Sequence, residues 1–343
     1  MNIVSSKPTI TRKELEGVLD CLINDELTLG NTIKNFEKSF SELVGVKFSC
    51  AVSSHTAAYH LALEAMDIQP DDEIIMPSYF HYSVMNALQF KKAKPILIDV
   101  EENSLFITIE KIKEKITPHT KAIVVGYLCG FLENYDELKN LNIPIIEDIS
   151  HSLGAEMNEK PIGNIGSIVI ASLSPFDIIT TGMGGMLITN NTRYYSIIKE
   201  KRYNKTGLHY DYKMTDFQAA IGISQLTRLQ DFIKRRREIV KYYFERIKIT
   251  SHKPLMPYNE SFVYQSFPIL FDSPSDKIEP YFKKNGISVS RPIKNALHNL
   301  NDSNGSDFPN SERLLKKMYC LPVYPTLSGK EIEKIGRTLA KFI

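Results

Sequence analysis

Four short segments carry residue types able to move protons: Ser53-Ser54-His55-Thr56, Pro77 to Tyr82 with His81, Glu147-Asp148 to His151, and Ser172 to Asp177. Imidazoles and carboxylates together suit general acid–base chemistry near neutral pH. A bound divalent metal is the weaker alternative, because a loop spacing of three between Asp148 and His151 fixes no coordination geometry. Glu147-Asp148 follows the apolar run IPII, and a carboxylate at the end of a buried strand is costly unless something bonds to it. Ser54 and Thr56 open a helix, whose free N–H groups can hold an anion. The same residues also read as an ordinary cap. The last segment continues as SPFDIITTGMGG (174–185), lying between GSIVIASL and MLITN. It places Asp177 in a glycine-rich loop that looks built to hold a cofactor.

All four segments sit where an α/β sheet would present them. From residue 48 to about 190, short apolar runs alternate with helical patterns: FSCAVSS, TAAYHLALEAM, EIIMP, a helix near Tyr82–Phe90, PILIDV, a helix near Ile109–Ile116, KAIVVGYL, a helix near Tyr135–Leu141, IPIIEDIS, SIVIASL and MLITN. Several runs are apolar throughout, which suits strands of a mostly parallel sheet buried on both faces. In such sheets ligands bind beyond the carboxyl ends of the strands, where these segments fall. After Met214 the pattern becomes a long helical stretch, two helices or one kinked helix. The rest mixes strand-like FVYQSFPIL with helices near Lys277–Asn285 and Lys330–Phe342, and a polar, turn-rich 299–311 expected as a mobile surface loop. The expected units are a large domain over 1–235 and a small α+β domain over 236–343.

Composition narrows the function. The chain has 343 residues and a net charge of +2, which advertises neither a nucleic-acid nor a membrane surface. The basic run Lys234-Arg235-Arg236-Arg237 reads as a solvated helix face. Cys21, Cys50, Cys129 and Cys320 form no CxxC pair, so reduced thiols in a cytoplasmic protein are expected. The start MNIVSSKPTI lacks the apolar core of a signal peptide. No GxGxxG follows the first strand, which sets aside a nicotinamide-dependent dehydrogenase.

The ordered blocks TLGNTIKNFEKSFSELVGVKFSCAVSSHTAAYHLAL, DDEIIMPSY, PILIDV, TPHTKAIVV, IIEDISHSLGA, ITTGMGGMLITNN, DYKMTDFQAAIGISQL and YCLPVYPTLS cover nearly the whole chain. Their order and spacing resemble the DegT/DnrJ/EryC1/StrS family of sugar aminotransferases. The resemblance implies an aspartate-aminotransferase (type I) fold, with a three-layer αβα large domain and a small C-terminal α+β domain. It also implies pyridoxal phosphate (PLP) chemistry, a homodimer with active sites at the interface, and a nucleotide-linked sugar as substrate. Asp148 matches the family's partner for the pyridine nitrogen, and Ser172 a phosphate-binding serine. Ser54 and Thr56 belong to the phosphate turn.

The same alignment implies a changed pocket. The family's cofactor-anchoring lysine falls on Asp177, which cannot form a Schiff base. The small residue of the phosphate turn is His55. The ring-stacking aromatic falls on His81, or on Phe80 with the register off by one. The glutamine on the ring hydroxyl is His151, the glutamate of the glycine loop is Met183, and the partner-subunit asparagine and nearby arginine are Asp211 and Lys213. Each histidine taken singly needs no more than a local hydrogen bond. Three at cofactor-contact positions point to function.

The expected enzyme is therefore a nucleotide-sugar protein of surface-polysaccharide or deoxyamino-sugar biosynthesis with a rebuilt acid–base site. Asp177 and His151 are its proton carriers, with His81 and His55 lining it. No cofactor is expected to be covalently bound; non-covalent PLP or its amine form (PMP) and, more weakly, a divalent metal remain as alternatives. A non-covalent PLP/PMP aminotransferase or dehydratase, and a catalytically inactive partner or scaffold subunit, are the other readings. Arg291, Lys294 and His298 are candidates for the sugar nucleotide's diphosphate, with a solvated loop as the equal alternative.

Overall fold

The computed structural model describes residues 2–342 apart from 205 and 302. Two helices open the chain, α1 (Arg12–Ile23) and α2 (Asn31–Val44). A capping box formed by Thr11 and Glu14 starts α1. α2 ends at Gly45, whose φ of 75° lies in the left-handed region that a helix stop uses.

The body follows the alternating pattern: β1 (Phe48–Val52), α3 (His55–Ala65), β2 (Glu73–Pro77), α4 (Tyr82–Lys91), β3 (Lys94–Ile98), α5 (Ile109–Lys115), β4 (Thr120–Gly126) and β5 (Ile145–Asp148). A short hairpin, β6 (Glu156–Met157) and β7 (Lys160–Pro161), precedes β8 (Ile168–Ser172), β9 (Gly185–Thr189) and α6 (Thr192–Arg202). The seven-stranded sheet runs β1-β9-β8-β5-β4-β2-β3. Only β9 is antiparallel to its neighbours. Every residue of β2 and β8 is buried, as their unbroken apolar runs require.

Register brings two of the chemistry-bearing segments together. Gly185 lies opposite both Val52 and Ser172, so the ends of β1 and β8 meet across it. A Cβ on Gly185 would lie 2.6 Å from the Ser54 carbonyl oxygen, so this contact requires glycine.

The helical stretch after Met214 is two helices, α7 (Asp216–Leu226) and α8 (Leu229–Ile247), separated by Thr227 and Arg228. Arg228 pairs with the buried Glu14 carboxylate and ties α1 to this turn. β10 (Lys253–Pro254), β11 (Phe267–Leu270), α9 (Ser275–Lys284), α10 (Leu297–Leu300), α11 (Pro309–Lys317), β12 (Met318–Leu321) and α12 (Gly329–Ala340) complete the chain around a three-stranded sheet. The expected boundary at 235/236 falls inside α8. The helix expected near Tyr135–Leu141 is a 3-10 helix, Asp136–Leu141. One expectation is corrected. The segment 299–311 takes up the end of α10, a 3-10 turn at Gly305–Asp307 and the start of α11. Asp99 accepts the first N–H groups of α11, from Asn310 and Ser311, which ties this segment to the large sheet. Residue 302 lies outside the described residues.

Candidate active site

The carboxyl ends of β1, β2, β5 and β8 bring His55, His81, Asp148, His151 and Asp177 into one buried cluster. β5 alternates its faces, so its two terminal acids part company. Glu147 accepts hydrogen bonds from the backbone N–H groups of Gly163, Ile165 and Gly166 and from the Tyr127 hydroxyl (2.8–3.0 Å), and it serves the fold. Asp148 faces the cluster. Its Oδ2 accepts from the Tyr59 hydroxyl at 2.6 Å and lies 2.9 Å from His55 Nε2. Its Oδ1 accepts from the Ser150 N–H at 2.9 Å. Burial alone would raise this carboxyl, but the neighbouring His55 and His81 and the hydrogen bonds from His55 and Ser150 carry it well below the usual carboxylate range.

Of the other two imidazoles, His151 is buried and His81 half-buried. His81 occupies the N-cap position of α4 without a side-chain capping bond, and its ring meets His151 edge-on at 4.7 Å and His55 at 5.7 Å between centroids. Burial pushes His81 down to about 4, and its Nε2 is buried without a hydrogen-bond partner among the described residues. His151 Nδ1 accepts the Cys129 N–H at 3.1 Å. That bond places the imidazole proton on Nε2, which lies 3.8 Å from Asp177 Oδ1. Burial holds His151 well below its ordinary value, so it is neutral.

Asp177 closes a tight turn, its Oδ2 accepting the Ser174 N–H at 2.7 Å. Burial raises its carboxyl, against the pull of hydrogen bonds from Ser172 and Ser174. The N–H of Ser172 in turn donates to Ser150 Oγ at 2.8 Å, so Ser172 sits directly behind the cluster. A neutral imidazole N–H aimed at a carboxyl of raised pKa favours the ionised carboxylate, leaving Asp177 as the group of the pair that can take up and release a proton. At 3.8 Å the separation is longer than a hydrogen bond.

Ser54 and Thr56 border the cluster from α3. Ser54 N-caps the helix, accepting from the Ala57 N–H at 3.1 Å, and Thr56 is half-buried in the first turn. Asp211 and Lys213 pair with each other at 2.7 Å, and Lys213 lies over the Tyr203 ring. Their segment runs beside the end of β1, where the Tyr212 carbonyl accepts the Ser53 N–H at 3.0 Å. Arg291 packs on the small sheet, bonded to the Tyr319 hydroxyl at 2.5 Å, and Lys294 is exposed.

His298 corrects its expectation. It is fully buried, with Nδ1 2.6 Å from Ser78 Oγ and Nε2 3.0 Å from Glu312, and its ring stacks on Phe308. Both nitrogens are engaged inside the protein, so it is a tie between the units and not a diphosphate contact. The basic run corrects a second expectation. Arg236 is 3% exposed and donates to the carbonyls of Gln265 (2.9 Å) and Val323 (2.6 Å), so the run is not a solvated face throughout. Burial pushes Arg236 down to about 10, against the opposing charge of Asp177.

Three contributors escaped the sequence: Tyr59, the Cys129 N–H and Arg236. Tyr59 carried a legible signal, lying four residues after His55 on the same helix face. Among the described residues no group of three or more His, Cys, Asp or Glu side chains is arranged to hold a metal ion. None of the described helices is long and apolar enough to cross a membrane.

The profile of the DegT/DnrJ/EryC1/StrS aminotransferase family matches residues 8–340. An uncharacterised protein of Methanocaldococcus jannaschii is 31% identical, the match covering 98% of this chain and 96% of that protein. A GDP-perosamine synthase of Escherichia coli O157:H7 is 30% identical, over 98% and 97% of the two chains. Among solved structures, the aminotransferase TlmJ of Streptoalloteichus hindustanus superposes with a TM-score of 0.93 at 24% identity, over 99% and 98% of the chains. Spr1654 of Streptococcus pneumoniae, described as a sugar aminotransferase, reaches 0.92 at 22% identity in its PLP form, over 99% and 98%, and is also known in a PMP form. A GDP-4-keto-6-deoxymannose-3-dehydratase holding a PLP-glutamate geminal diamine gives 0.89 at 24% identity, over 98% and 100%. The type I transferase fold is thereby established.

These relatives overturn the expectation of a site with no covalently bound cofactor, in which PLP or PMP was only an alternative and a divalent metal a weaker one. Proteins of this fold are found loaded with PLP and PMP. The residues present fit such a group in the main. Asp148 is a buried, ionised acceptor of the kind a protonated ring nitrogen needs, and His81 offers a buried nitrogen with no partner. One feature stands in the way: His55 already occupies Asp148 Oδ2.

Proposed function

Because the chain belongs to the DegT/DnrJ/EryC1/StrS aminotransferase family, we propose that it is an enzyme acting on a nucleotide-linked sugar, with PLP or PMP as its cofactor. The synthesis of surface polysaccharides or deoxyamino sugars is its setting. The match to a GDP-perosamine synthase along almost its full length supports a GDP-linked sugar. When bound, the cofactor supplies the electron sink for bond changes beside the reacting carbon.

The chain's own residues divide the rest. Asp148 accepts from the ring nitrogen. The hydroxyls of Ser54, Thr56 and Ser172, with the N–H groups that open α3, hold the phosphate. His81 and His55 line the ring. Asp177, which stands where the family carries a lysine, exchanges a proton with the substrate, and the His151 Nε2–H facing it stabilises its carboxylate form. His151 is held in the donating tautomer by the Cys129 N–H. Asp211 and Lys213, followed by Arg291 and Lys294 of the small unit, border the sugar-nucleotide entrance. The large unit over 1–235 carries the site, and the small unit over 236–343 begins within the continuous helix α8. A second copy of the chain closes the site, in keeping with the exposed Tyr82, Phe176 and Met183 that flank His81, Asp177 and the glycine loop.

The observation that carries this reading is Asp177 Oδ1 facing His151 Nε2 at 3.8 Å, their side chains 6% and 8% exposed. The test is turnover of a GDP-linked 4-keto sugar by the PMP-loaded protein, with an amino-acid donor present to regenerate PMP, comparing Asp177→Asn and His151→Ala with the wild type. Removing a general acid–base should lower kcat by about 100-fold or more while the sugar's KM stays within about threefold. Full kcat in Asp177→Asn refutes the assignment. Absence of turnover in the wild type too, with PMP bound, turns the reading to an inactive partner subunit.

A further inference from the structure

Three groups donate to Asp148, and they differ in how they can be reached. Tyr59 is 0% exposed and Ser150 2% exposed, whereas the His55 side chain is 11% exposed. The tyrosine and the serine therefore close the back of the carboxylate, and the imidazole covers its open side. His55 is held there by more than one contact: Nε2 lies 2.9 Å from Asp148 Oδ2 and 3.4 Å from Ser150 Oγ, and the ring packs against those of Tyr59 (5.0 Å) and His81 (5.7 Å). An aromatic ring with a nitrogen directed at Asp148 already occupies this place.

We propose that His55 is an internal stand-in for the cofactor's pyridine ring, a positioning residue that must turn off Asp148 before PLP or PMP can seat, so that its side chain sets the affinity for the cofactor. The inference rests on the cofactor reading above. The exchange swaps one N–H donor to Asp148 for another, and Tyr59 and the Ser150 N–H stay bonded meanwhile, so the buried charge is never left alone. The cost of seating the cofactor is the displacement of a side chain that donates to Asp148, a cost that a residue too short to reach the carboxylate would not impose.

The probe is PMP, whose amine cannot condense with surface lysines. Its dissociation constant is measured by equilibrium dialysis on the full-length wild type, His55→Ala and His55→Gln. Alanine has no side chain to displace, so His55→Ala should bind PMP at least about tenfold more tightly than the wild type. Glutamine keeps an amide donor within reach of Asp148 and should bind close to the wild-type value. Asp148→Asn placed on His55→Ala should lose the gain. In the wild type, saturating PMP should move the His55 ring-nitrogen resonance in a ¹H–¹⁵N correlation spectrum, while that of His252, bonded to the Phe342 carbonyl, stays in place. His55→Ser provides a second ring-free variant should alanine impair folding. Equal affinity in the wild type and His55→Ala overturns the inference and leaves the cofactor reading standing. Failure of every variant to bind PMP overturns both.

Discussion

Replacing Tyr59 by phenylalanine tests the electrostatic centre of the site without altering its shape. The hydroxyl donates to Asp148 Oδ2 at 2.6 Å, and the ring is 0% exposed. The variant removes one oxygen, adds no volume and leaves the ring packed. A hydrogen bond to a charged acceptor contributes about 1.5–3 kcal/mol. Unfolding entropy of about 2.1 cal/mol/K per residue, over 343 residues, gives about 0.7 kcal/mol/K, so the melting temperature should fall by about 2–4 °C at pH 7. The effect should also depend on pH with a definite sign. The folded Asp148 carboxyl lies below its unfolded value of about 3.9. Its contribution is therefore fully present above that value and is lost as pH falls through the folded one. Without Tyr59 the folded carboxyl is less depressed, so the variant takes up its proton earlier. The gap between the two proteins should stay flat from about pH 8 down to the variant's own folded value, which lies below about 3.9, and narrow only beneath it, because the shared unfolded value cancels in the difference. Scanning calorimetry across this range is the assay. An unchanged melting temperature at pH 7, or a gap that widens in acid, would show that Asp148 does not depend on Tyr59 as a charged acceptor.

Two further outcomes follow from the burial of polar groups. Asp177→Asn should be close to neutral for stability near pH 4 and stabilising at pH 8, because burial raises the native carboxyl and its ionisation costs stability as pH rises from the unfolded value through the folded one; calorimetry at both pH values checks this, and destabilisation at pH 8 would contradict it. His298→Ala should cost about 2–3 kcal/mol by leaving buried Ser78 and the nearby Glu312 without their shared partner. It should leave the KM for a sugar nucleotide unchanged, and a KM rise of tenfold with stability preserved would return the residue to the substrate site.

The sequence by itself determined the layout. Unbroken apolar runs such as EIIMP and SIVIASL can be satisfied only by strands buried on both faces, and helical periods between them require crossovers, so a mostly parallel sheet was legible before any coordinates. The positions of His55, His81, Asp148, His151 and Asp177 at strand ends were legible for the same reason, and the ordered blocks made the family legible. What tertiary structure alone decided was which atoms meet. Strand alternation sent Glu147 into the fold and Asp148 into the site. A backbone N–H from Cys129, invisible as a residue type, set the tautomer of His151. Burial turned Arg236 inward from a run that reads as solvated, and drew His298 away from the substrate mouth to Ser78 and Glu312. The physical reason is common to all of these. Periodicity encodes which face of an element is apolar, a property of neighbours along the chain. A hydrogen bond between residues 55 and 148, or 78 and 298, depends on packing distances that only the assembled layers set.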